Sequence, residues 1–259
     1  DAPKLTIIII SRSSAITISV FSDFLILYHC NNSITRYFWL FSVSSVNNNA
    51  ERNDDMKAVI LAGGEGSRLR PLTCTLPKPM ARVFGKPIIE YIFDMLAGCG
   101  VTKASVTLGY LPHIIEETYQ YDNRKLKLDF YRENEPLGTA GSVKAAASDF
   151  DEPFFVVSGD ALFDFDLKKI MDYHKASGAK ITIVATAKTD PREYGVVRVD
   201  KENKVLGFIE KPSWNQAVSN LANTGVYIVN PECLELIPKG KSFDFARDLF
   251  PLMLERDMP

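Results

Sequence analysis

Met56-Lys57-Ala58-Val59-Ile60-Leu61-Ala62-Gly63-Gly64-Glu65-Gly66-Ser67-Arg68 reads as a strand that empties into a loop of bare backbone. The apolar run Ala58 to Ala62 is short and continuous, the pattern of a buried strand. Gly63, Gly64 and Gly66 follow at once. Lacking Cβ atoms, they let backbone N–H groups close on a phosphate. Leu61, Ala62 and Ser67 frame the same loop as nucleotide-binding candidates. Arg68 and, after Pro77, Lys78 place two cations where they grip one anion. Together these features predict a nucleoside triphosphate site. Two commoner phosphate loops are excluded: the third glycine of Gly-x-Gly-x-x-Gly would fall at Leu69, and no Gly-Lys-Ser/Thr closes a four-residue spacer.

The stretch sits in a chain of 259 residues, a length that suits one α/β domain. Hydrophobic content of 46% supports a sizeable core, and a net charge of −2 with interspersed signs argues against nucleic-acid binding. Cys30, Cys74, Cys99 and Cys233 are scattered without a Cys-x-x-Cys pair, which suits reduced thiols in a cytoplasmic protein. His29, His113, His174 and Cys74 show no ligand or triad spacing and are assigned no chemistry.

Residues 1–55 are different material. They hold no glycine and only Pro3, with an isoleucine block at Ile7 to Ile10. The apolar stretch Ala15 to Cys30 is short for a bilayer span, carries Asp23 and lacks the order of a signal peptide. The segment is expected to be translated upstream sequence or disordered, with Met56 the natural start. A membrane-tethering leader is the other reading.

From Met56 onward strands alternate with helices. Helices are expected at Pro87–Ala97, Pro112–Gln120, Gly138–Ser148 and Asp166–Ser177. Strands are expected at Ala104–Leu108, Lys127–Tyr131, Phe154–Val157 and Ala179–Thr186. This order predicts a mainly parallel sheet with helices on both faces. Shorter strands follow at Val196–Val199, Val205–Ile209 and Gly225–Val229, and form the wall for a second substrate. Lys201-Glu202-Asn203 is a hairpin turn. Asp244–Arg256 closes the chain as an amphipathic helix, with Asp244 its cap and Asp248 solvated. Ser158-Gly159-Asp160 ends a buried strand, where ligands of open α/β sheets bind. A lone carboxylate there suits Mg²⁺, which takes one or two carboxylates with phosphate oxygens and water. Asp164 and Asp166 read as caps of the next helix.

Gly-Gly-x-Gly-x-Arg-Leu-x-Pro-Leu-Thr followed by Pro-Lys-Pro-Met resembles the sugar-1-phosphate nucleotidyltransferases, the pyrophosphorylases that make nucleotide sugars. The likeness covers residues 56–259. It implies a Rossmann-like, GT-A-like fold and two substrates, a nucleoside triphosphate and a sugar 1-phosphate. It also implies Asp160 as a metal ligand and catalytic roles for Arg68, Lys78 and Lys211. Tyr194, Gly195, Glu210, Lys211, Asn223 and Thr224 match its sugar-phosphate-binding segments. Glu133 to Gly141 is the base-reading loop, in which Gly138 lets the base approach the backbone and Thr139 begins a helix. A carboxylate only accepts hydrogen bonds, and guanine offers two adjacent donors. Glu133 therefore favours guanine, with Glu135 the alternative reader, and the stretch is similar to mannose-1-phosphate guanylyltransferases. Thymidylyl or uridylyl transfer to glucose 1-phosphate, a silent nucleotide-sugar sensor and a GT-A glycosyltransferase are the other readings. Family members carry a later Trp-x-Asp-x-Gly strand with a second metal ligand. Its absence here implies a C-terminally truncated, poorly active fragment. No membrane is expected as a partner, and homo-oligomerisation is compatible with the pattern.

Overall fold

The computed structural model describes residues 4–10, 18–21, 24–27 and 55–256, apart from 123 and 217. The strands are β1 (Lys4–Ile10), β2 (Ile18–Phe21), β3 (Phe24–Leu27), β4 (Met56–Leu61), β5 (Arg82–Val83), β6 (Lys86–Pro87), β7 (Val101–Leu108) and β8 (Lys127–Arg132). They continue with β9 (Phe154–Ser158), β10 (Ala179–Ala187), β11 (Gly195–Val199), β12 (Val205–Glu210) and β13 (Leu221–Val229). The helices are α1 (Ile88–Gly98), α2 (Pro112–Tyr119), α3 (Gly138–Ala146), α4 (Leu167–Ser177) and α5 (Phe250–Glu255). The expected elements are present, with ends shifted by a few residues. No helix among the described residues is long and apolar enough to cross a membrane.

The main sheet runs β1-β10-β13-β9-β4-β7-β8, with the β11–β12 hairpin branching from β13. In this path β13 alone runs against its neighbours. From β4 the chain steps outward to β7 and β8, then returns to place β9 on the other side of β4. The strand order therefore reverses between β4 and β9, and such a switch point opens a crevice at the carboxyl ends of the strands.

Side-chain parity splits the core into two layers. Ala58, Ile60, Phe155, Val157, Val226 and Ile228 face a cluster shared with α1, α2 and α4. Their alternates Val59, Phe154, Val156, Tyr227 and Val229 face a cluster shared with α3 and α5. Every central strand is buried on both faces, which is why its sequence is apolar throughout. In α1 the buried stripe is Ile88, Ile89, Ile92, Phe93 and Leu96, at helical spacing. Asp166 caps α4 by accepting from Lys169 N at 3.2 Å.

Three features depart from expectation. Strand β1 lies parallel to β10, pairing Ile7 with Ile183 and Ile10 with Thr186; its isoleucine block has the β-branching of a strand. Strands β2 and β3, inside the Ala15–Cys30 stretch, pair antiparallel; the rest of residues 1–54, Cys30 and His29 included, lies outside the described residues. The last helix opens as a π-turn over Phe245–Leu249 before α5, with Leu249 N donating to Asp244 O at 2.9 Å. Pro251 has no N–H to continue regular pairing there. Asp244 caps this turn as expected, accepting from Ala246 N and Arg247 N. Asp248, however, is not merely solvated: it accepts from the cap residue's own backbone, Asp244 N, at 2.7 Å.

His174 on α4 is buried, with Nδ1 2.7 Å from Thr182 Oγ1 and Nε2 2.9 Å from Asn230 Oδ1. The Asn230 oxygen can only accept, so Nε2 carries the proton and Nδ1 accepts from Thr182. Burial lowers the imidazole pKa from its usual 6.5. The unfolded chain therefore takes up the proton first, and the stability His174 contributes in full above that value is lost on acidification below it. His174→Ala opens a cavity and takes a partner from the buried Thr182 hydroxyl and the half-buried Asn230 oxygen, and should cost about 2–4 kcal/mol in urea unfolding at pH 7.5. The same variant should flatten the stability loss between pH 6.5 and 5. An unchanged midpoint or an unchanged acid slope would contradict this assignment.

Candidate active site

Four strand ends meet at the switch point. Leu61 at the end of β4 is in register with Thr107 of β7 on one side and Ser158 of β9 on the other. Beyond Leu61 the backbone is pinched from both directions. Gly159 N donates to Leu61 O at 2.8 Å, and a Cβ on Gly159 would sit 2.9 Å from that oxygen. On the other side Ala62 N donates to Thr107 O at 3.2 Å and Tyr110 N to Gly63 O at 3.1 Å. Glycine at 159 is thus a packing requirement at this approach.

The loop from Gly63 to Arg68 emerges from that pinch. Gly64, Ser67 and Arg68 are exposed, and a side chain at Gly64 would meet open space. Gly66 adopts a left-handed conformation with φ 61°, and a Cβ there would touch Lys78 Cβ at 3.0 Å. That contact brings Lys78 under the loop. Its ammonium forms an ion pair with Asp160 Oδ2, with the two side chains 25% and 29% exposed. Ser158 Oγ donates to the other carboxylate oxygen. Burial pushes the Asp160 carboxyl up, but the Lys78 charge and the two hydrogen bonds outweigh it and hold the group below the usual carboxylate range. Arg68 has no carboxylate within 4 Å among the described residues, so its guanidinium is available to an anion.

The structure therefore brings Leu61, Ala62, Gly63, Gly64, Gly66, Ser67, Arg68, Lys78 and Asp160 to one place, as the sequence predicts. Glu133 joins them at the end of β8: a Cβ on Gly63 would lie 3.2 Å from its Oε1, and Leu137 N approaches its Oε2 at 3.4 Å. Gly138 and Thr139 have other neighbours. The space beside Gly138, which has φ 70°, is filled by backbone, with Phe243 O 2.6 Å from where its Cβ would be. The Thr139 hydroxyl donates to Asp244 Oδ2 at 2.8 Å and accepts from Phe245 N at 3.0 Å. Their glycine and threonine chemistry is thus spent on fastening the C-terminal segment to α3.

The second wall starts at β13. Its register against β10 slips between Val184, which pairs with Val226, and Ala185, which pairs with Asn223. Thr224 and Gly225 bulge out of the ladder. Gly225, with φ 77°, places its missing Cβ 3.6 Å from Ser158 Cβ, so the bulge abuts the turn that carries Asp160. Asn223 is locked at both ends: its Oδ1 accepts from Gly225 N at 3.0 Å and its Nδ2 donates to Tyr227 OH at 2.8 Å. Thr224 Oγ1 donates to Val184 O at 2.7 Å. The bulge was hidden in the sequence, where the strand was expected to start at Gly225. Tyr227 was not singled out either; an aromatic in an apolar run reads as core.

Hairpin β11–β12 extends this wall, because Val196 pairs with Ala222 and Gly195 with Glu210. A side chain at Gly195 would strike the Phe208 ring at 2.4 Å and Glu210 Oε2 at 2.8 Å. Lys211 N donates to Tyr194 O at 3.1 Å, and Lys211 itself sits at φ 46°. A non-glycine residue at positive φ is strained, and such strain persists where something else fixes it.

The oxygen chemistry of Asp160 suits a hard cation. No group of three or more His, Cys, Asp or Glu able to hold a metal exists among the described residues. A single carboxylate matches an ion such as Mg²⁺ that completes its shell with phosphate oxygens and water.

Comparison with known proteins places these features in a family. The nucleotidyl transferase family matches residues 57–259. Mannose-1-phosphate guanyltransferase of Kluyveromyces lactis is 40% identical over 208 residues, covering 78% of this chain and 57% of its own. UTP–glucose-1-phosphate uridylyltransferase of Synechocystis is 37% identical, covering 79% of this chain and 56% of its own. The chain thus spans a little over half the length of these curated relatives. Among solved structures, HddC from Yersinia pseudotuberculosis complexed with GMP-PN superposes with a TM-score of 0.66 at 32% identity, over 76% of this chain and 85% of that one. UDP-glucose pyrophosphorylase complexed with UDP-glucose shares the fold at a TM-score of 0.67 and 22% identity, over 78% and 87%.

The strain at Lys211 is testable. Lys211→Gly relieves the positive φ, a gain of about 1 kcal/mol that the added unfolded-state entropy of glycine offsets. The variant should melt at or above the parent temperature while binding of anionic substrate weakens. A fall of several degrees would show that the backbone there is unstrained.

Proposed function

Because the chain belongs to the nucleotidyl transferase family, we propose that it transfers a nucleotidyl group from a nucleoside triphosphate to a sugar 1-phosphate, with GTP and mannose 1-phosphate as its pair. The observation that carries this reading is the Lys78–Asp160 ion pair at the switch point, flanked by the glycine loop and by the Asn223–Gly225 bulge. A cation and a hard-oxygen ligand lie between two walls, one suited to a triphosphate and one to a polyhydroxylated partner.

The reaction is a direct displacement. An oxygen of the sugar 1-phosphate attacks the α-phosphorus, the bond from that phosphorus to the oxygen bridging the β-phosphate breaks, and pyrophosphate leaves in line. No covalent enzyme intermediate is needed, so positioning and charge neutralisation supply the catalysis. Arg68 holds the leaving pyrophosphate. Lys78 turns from Asp160 to the α-phosphate. Lys211 places the attacking phosphate, Glu210 and Asn223 accept from and donate to sugar hydroxyls, and Tyr194, Gly195 and Thr224 shape the wall. Asp160 is the residue that would hold Mg²⁺, which when bound neutralises phosphate charge.

Glu133 supports the guanine reading. Its carboxylate sits beside the loop and accepts only, which matches the adjacent N1–H and amine of guanine. The guanyltransferase relatives and the GMP-PN complex of HddC lend the same support. A uridylyltransferase among the relatives keeps UTP with glucose 1-phosphate as the second reading. The presence of Arg68, Lys78, Asp160 and Lys211 together favours turnover over a silent sensor.

A pyrophosphate-release panel of GTP, UTP and dTTP against mannose 1-phosphate and glucose 1-phosphate tests the proposal. GTP with mannose 1-phosphate should be fastest. Arg68→Ala and Lys78→Ala should each lower kcat/KM by about 10² or more, the scale of a lost charge-stabilising group, without loss of fold by circular dichroism. Release with no pair, or full activity of Lys78→Ala, would overturn the reading. Glu133→Gln should cut the GTP preference over UTP by about tenfold, one lost charge-assisted hydrogen bond; an unchanged ratio would remove Glu133 from base recognition.

A further inference from the structure

We infer that Gly109 and Tyr110, which follow β7, are positioning residues for the triphosphate, gripping the start of the glycine-rich loop and the Leu72–Cys74 segment that follows it. The inference rests on that loop being the triphosphate site. Neither residue belongs to the loop.

The grip at the entrance is backbone against backbone. Tyr110 N donates to Gly63 O at 3.1 Å. A Cβ on Gly109 would lie 2.5 Å from Gly63 O, 3.2 Å from Gly63 Cα and 3.3 Å from Gly63 C. No flexible side chain could yield there, so only glycine at 109 allows Gly63 its position. The Glu133 carboxylate also borders Gly63, with Oε1 3.2 Å from a Cβ built on that glycine. The ends of β7 and β8 therefore both adjoin Gly63. The second grip is the side chain of the same tyrosine, whose hydroxyl donates to Cys74 O at 3.2 Å, in the segment that follows the loop.

Between these points the loop is tied once more. Thr73 Oγ1 donates to Gly66 O at 2.9 Å, and Lys78 packs on the other side of Gly66. The exposed arc that remains, Gly64, Glu65, Ser67 and Arg68, carries N–H groups without a backbone acceptor among the described residues, and the guanidinium. Fixing the two ends of a glycine-rich arc removes conformations it would otherwise lose on binding a phosphate chain. Tyr110 does this with one residue, using its N–H at the start of the loop and its hydroxyl on the segment after it. Among the described residues its hydrogen bonds go to Gly63 and Cys74 and not to β11, β12 or β13, so the effect is expected on one substrate.

Inorganic tripolyphosphate isolates the phosphate grip from base recognition and from turnover. Calorimetric titration of the full chain with tripolyphosphate, GTP and mannose 1-phosphate, on the parent, Tyr110→Phe and Gly109→Ala, tests the inference. Tyr110→Phe keeps the ring and the N–H, and should weaken tripolyphosphate and GTP alike by about threefold, the fold-change of one modest hydrogen bond. Gly109→Ala drives a methyl into Gly63 and should weaken both by about tenfold or more. Mannose 1-phosphate affinity should stay within twofold in both variants, and amides 63–68 should exchange faster in Tyr110→Phe. Equal weakening of mannose 1-phosphate would mark a general structural role and overturn the inference, as would unchanged tripolyphosphate binding by Tyr110→Phe. If Gly109→Ala does not fold, Tyr110→Phe alone decides. A chain that binds tripolyphosphate with this dependence on Tyr110 but makes no nucleotide sugar would refute the proposed function and leave the inference standing.

Discussion

The ion pair between Lys78 and Asp160 is the constraint around which the crevice is organised. A half-buried carboxylate and a half-buried ammonium each carry a desolvation cost, and each is tolerable because the other is there. Such a pair is weak evidence of stability; replacing it with apolar groups would fold as well. Its worth lies in what it joins. Asp160 stands at the end of β9, Lys78 lies under the loop that ends β4, and the two strands flank the point where the sheet changes direction. The pair therefore holds an ammonium and a carboxylate side by side at the switch point.

The walls follow from geometry that only particular residues permit. Gly159 and Gly109 let neighbouring backbones approach within contact of Leu61 and Gly63. The bulge at Thr224 and Gly225 brings β13 against the turn that carries Asp160, and Tyr227 holds the Asn223 amide in one orientation. Tyr227 in turn packs on Phe245 and Phe250 with ring centroids 5.0 and 5.4 Å apart. The C-terminal turn thus packs behind the second wall, through a cluster beside the Thr139–Asp244 bond.

Much of this was legible from local pattern. The two-face burial of the central strands, the stripe of α1, the caps Asp166 and Asp244, and the convergence of the glycine loop with Asp160 all follow from period, turn chemistry and strand-end placement. What escaped depended on contacts between residues distant in the chain. Gly138 looks like room for a ligand until Phe243 fills that room. Asp248 looks solvated until Asp244 N reaches it. The bulge at Asn223 exists only relative to β10, and the grip of Gly109 and Tyr110 only relative to Gly63. Periodicity reports which face a residue occupies; it does not report which other segment arrives there.

The proposed in-line displacement, with Arg68, Lys78, Asp160 and Lys211 as its residues, passes through no enzyme-bound nucleotide. Its decisive test is stereochemical: GTP carrying sulfur at the α-phosphorus in one configuration, incubated with mannose 1-phosphate, and the nucleotide-sugar product read by phosphorus NMR. Inversion at that phosphorus is expected. Retention, or a nucleotidyl group recovered covalently on the protein, would contradict it.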